Sequence, residues 1–348
     1  MLVLALACAA ALAVGLISHS PWVAAQLTAW DLKRFEQGVE RIMDRGAFLD
    51  FEGRLTVDEI PNADYSRGGV YFFGTSAMKW ATKMWELTPE QRQLIANYGI
   101  GATNHTLQAQ FIRYLVQQRD LAVAGDRMRV VLGGYWSMGL EWDPKAFFKP
   151  LWERHGLYRY RGEAGIQPLE MNPAVRWVRQ EKAWCSEFLG GVINRLARWT
   201  TTGVGMRLAE TENIRDQGLV REFARRSAEH PAWQDQLARQ MSDLEALICY
   251  LRERKVQVTV VLLPQRAAFE EFPLPVAYRR ELRALCSRLS VPFNDLSRLL
   301  SEDEFWDMNH SNYRGLTKTH AILMTIAREH LRSAGLSACP SASRRAGQ

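Results

Sequence analysis

The chain has 348 residues, 47% of them apolar and 24% charged, a balance typical of globular proteins and long enough for one large α/β domain or two small ones. Its formal charge is only +6, with no run of five or six basic residues, which argues against a nucleic-acid-binding protein and fits solubility or proximity to anionic polymer or lipid. Cys8, Cys185, Cys249, Cys286 and Cys339 lie far apart without a CxxC pair, which argues against a structural zinc site.

Leu2 to Ile17 is an uncharged run of small and apolar residues, followed by Ser18, Pro21 and Trp22. It is too short for a comfortable bilayer span but suits the core of an export signal, and Val23-Ala24-Ala25 meets the small-residue rule for cleavage before Gln26. No Lys or Arg precedes the run, and Lys33 and Arg34 follow it, the opposite of the usual export bias. The alternative is a buried N-terminal helix. Residues 1–26 are read as a signal peptide or membrane anchor on an exported chain, and 27–68 as a lead-in with a helix near Trp30 to Arg45 and a loop ending in Gly68-Gly69.

Val70-Tyr-Phe-Phe73 then reads as a buried strand that stops at Gly74. Ser76 falls just past it, at the carboxyl end of a strand, where open α/β sheets bind ligands. It is a candidate nucleophile; the plainer reading is that Thr75 or Ser76 caps a helix from Ala77 to Glu86. Thr88-Pro89-Glu90-Gln91 carries a capping box with proline at the first helical position. A second strand ends in Asn97-Tyr-Gly-Ile-Gly101, and Asn104 caps a helix bearing Leu107, Phe111 and Leu115. Arg129 to Leu132 is the third strand, leading into Gly133-Gly134-Tyr135-Trp136.

From about 140 to 225 the period breaks off, and the segment, rich in Trp, Arg and Gly, reads as a mostly helical insertion. Its tryptophans, 142, 152, 177, 184 and 199, serve either a binding face or a helical core. An amphipathic helix through Leu237, Met241, Leu244, Ile248 and Leu251 restores the pattern. A fourth strand follows at Val256 to Leu263, then a helix around Ala277 to Leu289, a fifth strand at Val291 to Asp295 and a final helix from Tyr313 to Arg332. Cys249 and Cys286 are expected in the core, and the tail from 336 to 348 is expected to be disordered. Alternating strands and helices predict a parallel sheet covered on both faces.

Before the last helix stands Phe305-Trp-Asp-Met-Asn-His-Ser311. Asp307 and His310 are spaced so that the carboxylate can accept from one imidazole nitrogen while the other takes a serine proton. A Gly-x-Ser at the first strand end and an Asp-x-x-His after the last resemble the SGNH, or GDSL-type, hydrolase superfamily along residues 70–135 and 237–332. The resemblance implies a flavodoxin-like three-layer sandwich with five parallel strands, Ser76 as nucleophile, His310 as general base and Asp307 as its orienting carboxylate. For the oxyanion it implies the backbone N–H of Ser76, Gly101 within one residue, and an asparagine after the third strand. That asparagine is missing here, and Tyr135 stands beside its place as a candidate donor through its hydroxyl. Thr75 also replaces the aspartate common in soluble esterases.

These departures resemble a membrane-anchored branch that includes the D-alanyl-lipoteichoic-acid biosynthesis protein D and the alginate O-acetyltransferase accessory proteins. What the resemblance implies is esterase or acyltransferase chemistry on an acylated cell-envelope polysaccharide, on the periplasmic or extracellular side, beside a membrane-bound O-acyltransferase. No cofactor or metal is expected: the seven histidines are scattered, Gly99-Ile-Gly101 lacks the third glycine of a dinucleotide fingerprint, and there is no Walker A lysine. His105 and His320 read as helix-surface or core residues. The rival reading is a non-catalytic envelope protein that keeps the fold and binds glycan or a membrane partner.

Overall fold

In the computed structural model the described residues are 2–20, 22, 23, 26, 64–100, 103–141, 156–161, 166–201, 218, 221, 222, 225, 226, 232–305 and 308–336. The chain divides into two compact units, one of Met1–Asn62 with Lys145–Asn213, the other of Ala63–Pro144 with Ile214–Gln348.

The first unit contains helix α1 (Leu2–Ser18), a short antiparallel hairpin of β4 (Tyr158–Tyr160) and β5 (Ile166–Pro168), and the long helix α5 (Pro173–Thr201). A helix that is apolar all round has no face suited to water, yet Leu12 and Leu16 of α1 are about two-thirds exposed. After α1 ends, His19 stacks on Trp184 of α5 (centroids 5.0 Å apart) and pairs with Glu181 at 2.9 Å. Trp177 is largely exposed. Among the described residues no helix is long and apolar enough to cross a membrane. The expected helix near residues 30 to 45, Trp142, Trp152 and the tail from 337 lie outside the described residues.

The second unit holds the sheet. Its strands are β1 (Gly69–Gly74), β2 (Ile95–Gly99), β3 (Met128–Gly134), β6 (Gln257–Leu262) and β7 (Phe293–Asp295), all parallel in the order β2-β1-β3-β6-β7. Numbering these five strands by themselves gives 2-1-3-4-5, the flavodoxin-like order, as expected from the sequence. Every residue of β1 is buried, and Val70, Phe72, Phe73, Val130, Val131, Val261 and Leu262 are the apolar centre. A strand buried on both faces must read as a continuous apolar run, which is why the period-2 pattern is absent here. Helix α4 (His105–Arg119) packs on α6 (Trp233–Glu253), α6 packs on α7 (Pro273–Arg288), and α8 (Tyr313–Ser333) packs against β1.

Three expectations are corrected. The helix after β1 is a single turn, α2 (Ser76–Lys79), and not a run to Glu86; a 3-10 turn at Met84–Glu86 and a second one-turn helix, α3 (Pro89–Arg92), follow. Tertiary bonds end it: Asn97 Nδ2 donates to the Met78 carbonyl (2.8 Å) and to Thr82 Oγ1 (2.7 Å), and β2 comes too close for a longer helix to keep its line. The insertion carries the β4–β5 hairpin as well as helix. Cys286 is buried, but Cys249 is exposed, one position past the Leu244–Ile248–Leu251 stripe that faces the core.

Candidate active site

In this strand order the chain reverses direction across the sheet between β1 and β3, the point at which sheets of this kind have their ligand-binding opening, outside the carboxyl ends of the strands. Ser76 follows β1 and Tyr135 follows β3, so both lie at that opening. Gly74 is required there, because a Cβ would stand 2.7 Å from Met78 Cβ and 3.0 Å from the Gly133 carbonyl. Its lack of a side chain lets the one-turn α2 fold back over the strand end.

Thr75, not Ser76, is the N-cap: its Oγ1 accepts from the Ala77 N–H at 3.1 Å, and its carbonyl accepts from the N–H groups of Met78 and Lys79. The capping role is therefore taken by the neighbour, and the Ser76 side chain projects elsewhere. Its half-buried Oγ lies 2.8 Å from His310 Nε2, a full hydrogen bond across 234 positions of sequence. The two residues, far apart in sequence but expected at one rim of the sheet, are brought together.

His310 sits on a loop closed from several sides. Phe305 and Ser311 form an antiparallel bridge, and the Asn312 N–H donates to the Glu304 carbonyl at 2.8 Å. Asn312 Oδ1 then caps α8 by accepting from Arg314 and Gly315 N–H groups. The Trp80 ring meets the His310 imidazole edge-on, centroids 6.5 Å apart. Asp307 and Gly101, the expected orienting carboxylate and oxyanion donor, lie outside the described residues.

Tyr135 is buried, and its hydroxyl donates to Asn309 Oδ1 at 3.0 Å. Serving an oxyanion would require that proton to leave Asn309. Its backbone is also fixed: the N–H donates to the Tyr278 hydroxyl, and the carbonyl accepts from the Met138 N–H at 2.8 Å. Tyr278 in turn donates to His105 Nε2 (2.7 Å), and His105 Nδ1–H donates to Gln108 Oε1 (3.3 Å). Burial pushes the His105 imidazole down to about 4, against a weaker upward pull from Gln108, so at neutral pH it is an uncharged link in this network. His320 accepts from the Lys83 N–H through Nδ1. Both histidines are structural, as the sequence suggested. The partnership of Tyr135 with Asn309 was missed, and no spacing rule connects residues 174 positions apart.

Among the described residues no group of His, Cys, Asp and Glu is arranged to hold a metal ion. The Ser76–His310 pair can instead pass a proton from a hydroxyl to an imidazole, the first requirement of nucleophilic acyl chemistry.

No family model matches the sequence, and no curated protein matches it either. Among solved structures, the chain is similar to the crystal structure of a "putative acylhydrolase" from Bacteroides fragilis NCTC 9343, at 12% identity, covering 82% of this chain and 100% of that one. The TM-score is 0.40.

Proposed function

We propose that this protein is a serine-dependent acyl hydrolase or O-acyltransferase, with Ser76 as nucleophile, His310 as general base and Asp307 as the carboxylate that orients it. The observation that carries the reading is the 2.8 Å hydrogen bond between Ser76 Oγ and His310 Nε2, at the carboxyl rim of the sheet beside the point where the strand order reverses. Ser76 Oγ attacks the ester carbonyl carbon as its proton passes to Nε2. The tetrahedral oxyanion is held by the backbone N–H groups of Ser76 and Gly101. Collapse breaks the ester C–O bond, and the imidazolium returns its proton to the leaving alkoxide. Water or an acceptor hydroxyl then repeats the sequence on the acyl-serine. Hydrolase and transferase differ only in that second nucleophile.

The proposed substrate is an acylated envelope polysaccharide, the proposed partner a membrane-bound O-acyltransferase, and the proposed location the outer side of the cytoplasmic membrane. Support comes from the sequence resemblance and from the exposed apolar surface of α1. Co-sedimentation with lipid vesicles, which should be lost on deleting residues 1–26, tests the membrane part.

Fluorophosphonate labelling of the wild type and of Ser76→Ala tests the chemistry. Labelling of the wild type alone is expected. Equal labelling of both removes Ser76 as nucleophile, and labelling of neither favours the non-catalytic binding protein. That second reading draws on one observation, the commitment of the Tyr135 phenol to Asn309 beside the place where the resembled family keeps its asparagine.

A further inference from the structure

A general base works only if its imidazole is held within a few tenths of an ångström of its target, since displacement of about 1 Å can cost roughly a hundredfold in rate. His310 lies on a half-buried loop, not on a helix or strand, so its backbone needs separate anchors. On its carboxyl side the anchors are the Phe305–Ser311 bridge and the Asn312 cap of α8. On its amino side the neighbouring residue, Asn309, is held by the Tyr135 hydroxyl.

Tyr135 is well built for that duty. It directly follows β3, an interior strand of the sheet. Its backbone N–H and carbonyl are both engaged, its ring is 1% exposed, and Trp136 packs beside it with centroids 6.0 Å apart. A side chain immobilised at every point except its tip transmits the position of the sheet to whatever the tip holds.

We propose that Tyr135 is a positioning residue: through Asn309 it fixes the backbone that carries His310, so the end of β3 sets the reach of the imidazole to Ser76. The proposal rests on the Ser76–His310 reading and assigns Tyr135 a role other than oxyanion donation. It also makes the loop a two-sided clamp, with the residues before and after His310 tied to different parts of the fold.

The test compares Tyr135→Phe, which keeps the ring and deletes the hydroxyl, with Asn309→Ala, which deletes the acceptor on a half-exposed loop where misfolding is not a concern. The expected result is a fluorophosphonate labelling rate 10- to 100-fold below wild type in each single variant. The double variant should be no slower than the worse single. With p-nitrophenyl acetate, kcat referred to the concentration of folded enzyme should fall while KM stays within about threefold, the pattern of an interaction that matters in the transition state and not of a smaller folded fraction. Imidazole nitrogen NMR supplies a readout independent of activity: the His310 cross-peaks should shift or broaden in both variants. Wild-type labelling rates and unchanged His310 cross-peaks in Asn309→Ala, or fully additive losses in the double variant, would overturn the proposal. Equal labelling of wild type and Ser76→Ala would fault the nucleophile assignment, while the NMR comparison would still decide whether Tyr135 positions His310.

Discussion

Gly99 offers the sharpest perturbation, because its missing side chain is the space in which the Ser76 turn sits. A Cβ there would meet Lys79 N at 2.5 Å, Lys79 Cα at 2.9 Å and the Thr75 carbonyl at 3.0 Å, all backbone atoms that cannot rotate aside. Ordinary contact begins at 3.4 Å, so Gly99→Ala requires a relative shift of about 0.9 Å between β2 and α2. β2 is held to β1 in register, Gly99 opposite Gly74, with the Ile100 N–H on the Gly74 carbonyl at 2.8 Å. The four-residue α2 is the weaker partner and should move, carrying Ser76 with it. Overpacking of this kind costs about 1–3 kcal/mol of stability. The accompanying displacement of the hydroxyl should slow acylation by roughly a hundredfold. Urea denaturation measures the first effect, and the rate of fluorophosphonate labelling measures the second. A variant that loses stability yet labels within about twofold of wild type would refute the idea that β2 sets the position of Ser76.

Asn97→Ala should cost on the order of 3 kcal/mol in urea unfolding, because it takes the Asn97 amide from the buried Thr82 hydroxyl and the Gly99 N–H and leaves the Met78 carbonyl with backbone donors alone; a loss below about 1 kcal/mol would contradict this. Acid should destabilise the fold through His105: the unfolded imidazole takes up a proton below its ordinary 6.5, whereas the folded one resists until about 4. The stabilisation is thus complete above pH 6.5 and is lost as pH falls toward 4, by roughly 3 kcal/mol in all. His320 and His330, also lowered by burial, add to the slope, so His105→Gln should flatten the pH dependence of Tm over that window without abolishing it. Thr88→Ala deletes the cap of α3 and should cost about 1 kcal/mol while leaving the labelling rate unchanged, as measured on the same samples.

Wherever a local rule decides a structure, the sequence was legible. Val70–Phe73, Val130–Leu132 and Val260–Leu263 are apolar runs whose burial on both faces follows from their composition. Asn104 and Thr88 cap where short polar side chains meet free N–H groups, in agreement with the reading of both positions. Ser76 and His310 were legible as a pair because each follows a strand on the same rim of the sheet. The one-turn length of α2 was not, since the Asn97 amide that ends it comes from the neighbouring strand. The β4–β5 hairpin was hidden because its strands are three residues long, too short to show alternation. Asn309 stood in plain view beside His310, but its partner is chosen by the sheet and not by any neighbour in sequence.

The sheet unit is written in two pieces of sequence, 63–144 and 214–348, and β3 cannot pair with β6 until more than a hundred further residues have been made. At ribosomal speeds of about 5–20 residues per second, the hydroxyl of Ser76 waits roughly 10 to 50 s for a residue 234 positions later to be synthesised. Throughout that interval it is an ordinary alcohol without an imidazole to withdraw its proton. On the proposed reading of Ser76 as nucleophile, reactivity is timed by chain order: a polypeptide truncated before His310 carries the serine without its base, and the pair forms only once the segment leading into the C-terminal helix is in place.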